Sequence, residues 1–291
     1  GGGGTVGWGV DSEHGRLLDV LLCRPDHFHW LPTSPISQAT LEKGLEFDPA
    51  RARRQHDELV AAYESAGVRC HFLEPGPELP YQVFARDSSV MTPWGAVITR
   101  LRQPWRQGED GPVTDFYEAE GIAIKEAVTA AALEGGDVMI VEPGRALIGF
   151  GGARTQEPAA RALAASFEAE GWEARIERFP EQYVHIDVLV SVLAEGLAAV
   201  CAEVISPQLV DWLRGLGLEL IEVSAEDAFT LGANAISLGA RRVISAAGAK
   251  TLNEAMRFRG LEVLDPELDM FTLGGGGAHC LGQALRRERV G

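Results

Sequence analysis

The sequence predicts an α/β fold built from five similar units of ββαβ type, with the first and last strands of the chain meeting. Three observations predict it. A helix-like stretch, a glycine, a short strand and a polar residue at a loop edge recur five times, with the glycines at Gly67, Gly121, Gly171, Gly217 and Gly260. Between 13 and 20 residues after each glycine comes a landmark, in order Asp87, Glu134, His185, Asn234 and Cys280. The apolar run Arg16–Cys23 has no helix–glycine–strand segment before it, and the fifth unit runs out soon after Leu285. A period of roughly 45–50 residues is typical of rings and arrays of supersecondary units. Pairing the orphan first strand with the last would close a ring and remove a sheet edge. The loop ends carrying the landmarks would then converge on one axis.

Each element has a local reason. Asp48-Pro49 supplies an N-cap and a proline at the first helical position for a helix running to Gly67, and Ser206-Pro207 does the same for the stretch through Leu213. Thr155 is placed to cap the run ending at Glu170. In each unit the glycine is the left-handed residue that stops the helix. Hairpins are expected from Asp87–Met91 with Ala96–Thr99, Asp137–Val141 with Ala146–Gly149, Val188–Leu193 with Leu197–Cys201, and Ala235–Leu238 with Arg242–Ser245. The fifth hairpin, Cys280–Leu285, lacks a partner except at the N terminus. Two segments interrupt the period, 27–47 and 100–114; loops of that length serve as lids, binding loops or surface excursions.

Bulk properties bound the function. The 291 residues can bury a substantial core. We read 1–8, opening on Gly1–Gly4, as a flexible lead and 9–291 as a single catalytic domain. A net charge of −16 argues against a nucleic-acid partner and suits a cationic small molecule. No apolar run approaches the roughly 20 residues that span a bilayer, and no secretory signal pattern opens the chain. Cys23, Cys70, Cys201 and Cys280 show no CxxC spacing; the first three sit in strand-like apolar runs and read as buried free thiols, which makes the cytoplasm the default compartment. A homo-oligomer is left open.

Cys280 differs in context. It follows Gly274-Gly275-Gly276-Gly277-Ala278-His279, where glycines allow close approach of backbone N–H groups that, with the adjacent imidazole, would favour thiolate. Strand alternation puts His185 and Asp187 on one face, which suits a general acid/base with a carboxylate partner. Glu134, in Leu133-Glu134-Gly135-Gly136-Asp137, and Asp87, in Phe84-Ala85-Arg86-Asp87, complete a set of carboxylates that needs a cation between them. Neither HExxH nor clustered His/Cys spacing supports a metal, and Asp26-His27-Phe28-His29 is a lone alternative; no metal and no cofactor are expected. A guanidinium fits better, being planar, permanently charged and able to present five donors to carboxylates.

Phe84-Ala85-Arg86-Asp87, Glu134-Gly135-Gly136-Asp137, His185-Ile186-Asp187 and Gly275-Gly276-Gly277-Ala278-His279-Cys280 together resemble the guanidino-group-modifying enzymes of the pentein superfamily, from Leu17 to Leu285. That group includes arginine deiminases, dimethylarginine dimethylaminohydrolases, agmatine deiminases and amidinotransferases. The resemblance implies a five-bladed α/β propeller. It implies Cys280 as the nucleophile on the guanidinium carbon, His185 as the acid and then base around a covalent thiouronium, and Glu134 as the third catalytic group. Asp87, Glu134 and Asp187 would orient the guanidinium, and Asn234, the fourth landmark, is a further substrate-binding candidate. Arg154, or else Arg86, would hold a substrate carboxylate. The His-x-Asp pair resembles deiminases and amidinotransferases, whereas the compact length resembles the dimethylarginine hydrolases. The expected function is hydrolysis of the guanidino group of arginine or an N-methylated arginine to a ureido product. The alternatives are amidino transfer to an amine, or a non-catalytic binding protein of the same fold.

Overall fold

The computed structural model describes residues 7–291. Of the expected lead, residues 1–6 lie outside the described residues, while Trp8 packs edge-on against His71 with the Arg286 guanidinium 5.0 Å from its ring centroid.

Among the described residues, fifteen strands form five three-stranded sheets. The chain opens with β1 (Leu17–Leu22), α1 (Pro35–Glu42), α2 (Pro49–Ser65) and β2 (Arg69–Phe72). The second unit is β3 (Ser89–Thr92), β4 (Gly95–Ile98), α3 (Asp110–Glu120) and β5 (Ile124–Ala127). The third is β6 (Val138–Glu142), β7 (Arg145–Phe150), α4 (Glu157–Ala169) and β8 (Glu173–Arg178). The fourth is β9 (Val190–Ala194), β10 (Leu197–Val200), α5 (Pro207–Gly215) and β11 (Glu219–Glu222). After α6 (Ala225–Phe229) come β12 (Ile236–Gly239), β13 (Arg242–Ile244), α7 (Lys250–Phe258) and β14 (Glu262–Leu264), then α8 (Asp269–Thr272) and β15 (Gln283–Arg287).

Every sheet repeats one pattern, an antiparallel pair whose second strand pairs in parallel with a third. In four sheets the pair is a hairpin and the third strand follows a helix. In the remaining sheet β15 takes the place of the missing first strand, antiparallel to β1 with Leu17 opposite Arg287 and Leu21 opposite Gln283, and β2 is the parallel third. The strand at each end of the chain is therefore completed by the other. Buried Asp19 on β1 ties the three strands together, accepting from Arg286 at 2.7 Å and lying 2.8 Å from His71 and 3.2 Å from Arg69. Leu17, Val20, Leu21 and Leu22 around it are no more than 1% exposed, and each such side chain stabilises by about 1.5–3 kcal/mol.

The repeat glycines all take positive φ, from 67° at Gly121 to 87° at Gly217, and end their helices as the left-handed residue. Asp48 and Ser206 accept from Arg51 N and Leu209 N as N-caps, each followed by proline at the first helical position. Thr155 does not cap α4, whose N-cap is Gln156 without a side-chain bond; its hydroxyl instead accepts from the Glu134 amide at 3.1 Å. Residues 183–189 are not a strand either. Two 3₁₀ turns, Glu181–Tyr183 and Ile186–Val188, flank His185 because Asp137 captures the Ile186 amide at 2.8 Å, and β9 begins only at Val190. Segment 27–47 contains α1, capped by the reciprocal Ser34–Ser37 pair, and is anchored by Phe28 stacked on Phe271 and by Trp30 donating to Met270 O.

Candidate active site

Cys280 sits on the turn before β15, 4% exposed. The Asn234 side-chain oxygen accepts from the amides of His279 (3.0 Å) and Cys280 (3.2 Å), and its NH₂ donates to Asp187 O. The glycines before it make close packing possible: a Cβ on Gly276 would strike the Phe84 ring, and one on Gly277 would lie 2.7 Å from Asn234 Oδ1. Cys280 Sγ is 3.7 Å from Asp187 Oδ2. Burial, then the charges of Asp187 and Asp87, raise the thiol well above its ordinary pKa, and the Gly277 backbone and Arg86 offset this only in part. The glycine loop and neighbouring imidazole therefore do not produce the thiolate expected of them; the resting group is a thiol.

His185 occupies the other side of the cavity. Its Nε2 is 2.7 Å from Glu134 Oε1 and its Nδ1 is 3.8 Å from Asp87 Oδ1. Burial alone would lower its pKa, but Asp87 and Glu134 outweigh it and lift it to about 10. The imidazolium is therefore the resting form. Glu134 is held well below the carboxylate range, burial being outweighed by Arg154, His185 and Arg106. Asp87 accepts from the Gly136 amide at 2.9 Å, and a Cβ on Gly136 would lie 2.7 Å from the His185 ring and 2.9 Å from Asp87.

Two guanidinium groups enter this cluster. Arg154 donates to Glu134 Oε1 at 3.2 Å and to Thr33 O at 2.8 Å. Arg106, buried, donates to Asp87 Oδ2 at 2.6 Å and to both oxygens of Glu109, with Nη1 3.8 Å from Glu134. Sequence reasoning missed Arg106 and Glu109, which lie in the polar Gly/Pro loop 100–114; the Arg-x-x-Glu spacing beside Trp105 is the one local signal that could have marked them. Asp87, Glu134 and His185 each present a ligand atom within 4.8 Å of the others, but protonated His185 and the two guanidinium groups already bring positive charge to that place.

Below Cys280 runs a second charged line. His279 Nδ1 is 2.8 Å from Asp187 Oδ2, and its Nε2 is 3.2 Å from Glu13 Oε2. Arg86 and Asn234 were expected to touch substrate and do not line the cavity. Arg86 is turned inward, donating from Nε to His279 O and from Nη1 to Gln283 Oε1; Asn234 spends its amide on the backbone that holds Cys280. Glu13 was missed, since it bonds across 266 positions of sequence with no motif to announce it.

The cavity is about 20 Å³, lined by Cys280, His185, Asp87, Arg106, Arg154 and Thr33-Ser34; Glu134 and Asp187 do not line it but stand behind His185 and Cys280. It has room for about one water. Both long segments thus reach the site, one through Thr33 and the other through Arg106.

Comparison with known proteins gives the chain a family and a fold. Residues 24–287 match the family described as N,N dimethylarginine dimethylhydrolase, eukaryotic. The chain is 29% identical over 280 residues to the uncharacterized protein YkgA of Bacillus subtilis, covering 95% of this chain and 94% of that one. It is 27% identical over 239 residues to the N(G),N(G)-dimethylarginine dimethylaminohydrolase of Pseudomonas aeruginosa, covering 80% and 88%. The fold is that of the N-terminal domain of ArgZ, an arginine dihydrolase from cyanobacteria solved with substrate bound, with TM-score 0.80 and 21% identity over 94% of this chain and 98% of that one.

Proposed function

The chain belongs to the N,N-dimethylarginine dimethylhydrolase family, among the guanidino-group-modifying enzymes of the pentein superfamily, and from that premise we propose that it hydrolyses the guanidino group of arginine or an N-methylated arginine to a ureido product. One observation carries the reading: a thiol, an imidazolium, the Asp87 carboxylate and two arginines line one buried cavity, with Glu134 behind the imidazolium and Asp187 behind the thiol. Unmethylated arginine keeps every terminal N–H for the Asp87 carboxylate on the cavity wall, whereas each methyl group removes a donor.

The five sheets are read as blades of a propeller. Support comes from the contacts between successive units: β15 with β3, the Gly135 amide with Asp87 O, β6 with the turn at 186–188, β9 with β12, and β12 with β1. The same reading takes 9–291 as one catalytic domain and, from four free cysteines, places it in the cytoplasm.

Chemistry follows from the charges. The entering guanidinium displaces the thiol proton, which leaves to solvent water because His185 is already protonated, exchanging one positive charge for another beside Asp187 and Asp87, so the nucleophile forms only when its target is present. The Cys280 sulfur forms a bond to the guanidinium carbon, and the terminal C–N bond breaks as His185 passes a proton to the departing nitrogen. Neutral His185 then takes a proton from water, whose oxygen bonds to the thiouronium carbon. The C–S bond breaks as the hydroxyl proton of the tetrahedral intermediate passes to the sulfur, leaving the neutral ureido product and restoring the Cys280 thiol. Glu134 stabilises the protonated imidazole at both stages. Arg154 and Arg106 are placed to exchange their contacts with Glu134 and Asp87 for the substrate carboxylate.

Incubation with arginine, dimethylarginine and agmatine, each with and without glycine, tests this. The expected result is ureido product from a carboxylate-bearing substrate and no amidino transfer. Preference for agmatine would remove the carboxylate role of Arg154, and formation of guanidinoacetate would replace hydrolysis by transfer.

A further inference from the structure

The N-terminal segment brings a buried carboxylate to the far side of the nucleophile loop, where the proposed reaction has given it no task. Gly9 is pinned to β15, its amide donating to Leu285 O at 2.9 Å and its carbonyl accepting from the Arg287 amide at 3.2 Å. Three residues on, Ser12 Oγ accepts from Gly15 N at 2.9 Å and closes a tight turn. That turn sends Glu13 into the interior, where it is 7% exposed.

Inside, Glu13 Oε2 meets His279 Nε2 at 3.2 Å, while Nδ1 of the same ring meets Asp187 Oδ2 at 2.8 Å. A neutral imidazole has one N–H and can donate to one carboxylate only; two carboxylates on opposite nitrogens require both to be protonated. We propose that Glu13 is a positioning residue of the active centre, holding His279 as a doubly protonated clamp that fixes the Asp187 carboxylate beside the Cys280 sulfur. The proposal rests on the reading of Cys280 as nucleophile.

The charged groups around His279 agree with the assignment. Asp187 and Glu13 flank the ring, and Arg86 donates to the His279 carbonyl from the β3 side. Arg287 of β15 lies behind Glu13, lining with Arg86 and Glu13 a water-sized internal cavity. Burial and Arg86 oppose protonation of His279, yet Glu13 and Asp187 together leave its pKa raised. Glu13 in turn is carried down to about 2, burial being outweighed by His279, Arg86 and Arg287. Without Glu13, Asp187 would face an imidazole free to lose its proton or turn.

Histidine-labelled NMR of the intact wild-type protein and steady-state kinetics of Glu13→Gln and Glu13→Asp test the idea. In wild type, both His279 nitrogens should remain protonated at pH 8; a neutral His279 at that pH overturns the proposal whatever any variant does. Glu13→Gln should lower the His279 titration midpoint and reduce kcat roughly tenfold or more with little change in KM, the loss growing as pH rises. Glu13→Asp should restore part of kcat and of the midpoint. A fall in kcat with an unmoved His279 titration would make Glu13 merely structural and refute the clamp. Because the NMR readout needs no turnover, failure of the clamp is distinguishable from failure of the catalytic reading.

Discussion

His185 and His279 are both buried, both lie between carboxylates and both have raised pKa values, yet they do different work because of what supplies their partners. His185 faces the cavity, and its partners Glu134 and Asp87 are shared with Arg154 and Arg106, which arrive on or beside loops. His279 faces the interior, and its partners Asp187 and Glu13 are set by a 3₁₀ turn and by a segment pinned to β15. In the proposed reaction the first line exchanges partners when a charged substrate enters. The second is fixed before it arrives. The sulfur of Cys280 lies beside both lines, kept neutral first by burial and then by the charges of Asp187 and Asp87.

The largest effect should come from breaking the cavity-side line at its shared carboxylate. Glu134→Gln removes the main partner of His185 and should reduce kcat by on the order of 10²–10⁴-fold. The sign of its pH effect follows from the pKa of about 10. Wild-type His185 is protonated below that pH and loses its proton as pH rises through it, so removing an attractive charge must move the alkaline limb of the kcat/KM profile to lower pH. An unshifted limb would assign it to another group.

Arg154→Ala sharpens the comparison by testing whether the cavity-side cations answer to substrate. A loss of roughly 10–100-fold in kcat/KM for arginine, with little loss for agmatine, is expected. Equal losses for both would mean that Arg154 serves Glu134 alone. A smaller effect should follow Gly136→Ala, whose Cβ meets His185 and Asp87 below 3 Å. About 1–3 kcal/mol of stability should be lost, measurable by denaturant unfolding, whereas Gly144→Ala, with nothing within 4 Å but a φ of 84°, should lose only the backbone strain.

The two lines also differ in how much of them the sequence displays. Asp87, Glu134, His185 and Cys280 stand at equivalent places after the repeat glycines, and the strand at the N terminus has one vacancy to fill, so the units, the β1–β15 pairing and the cavity-side groups are legible as a period. Asp187 was found by alternation although the segment is a 3₁₀ turn, because i and i+2 both reach the site by a different path. Arg106, Glu109 and Glu13 were not legible. They lie in irregular segments where no period operates, and their partners are supplied by tertiary approach. Thr155 and Arg86 show the converse, local chemistry that fitted one role and was taken by a nearer buried partner.

The central claim, that Cys280 forms a covalent link to the guanidino carbon, is tested most directly by acid-quenched single turnovers with isotopically labelled arginine, followed by peptide mapping. The account predicts a transient adduct carrying the guanidino carbon on the peptide that contains Cys280, decaying as ureido product forms and absent from Cys280→Ser. An adduct on Cys23, Cys70 or Cys201, or full turnover by Cys280→Ser, would contradict it.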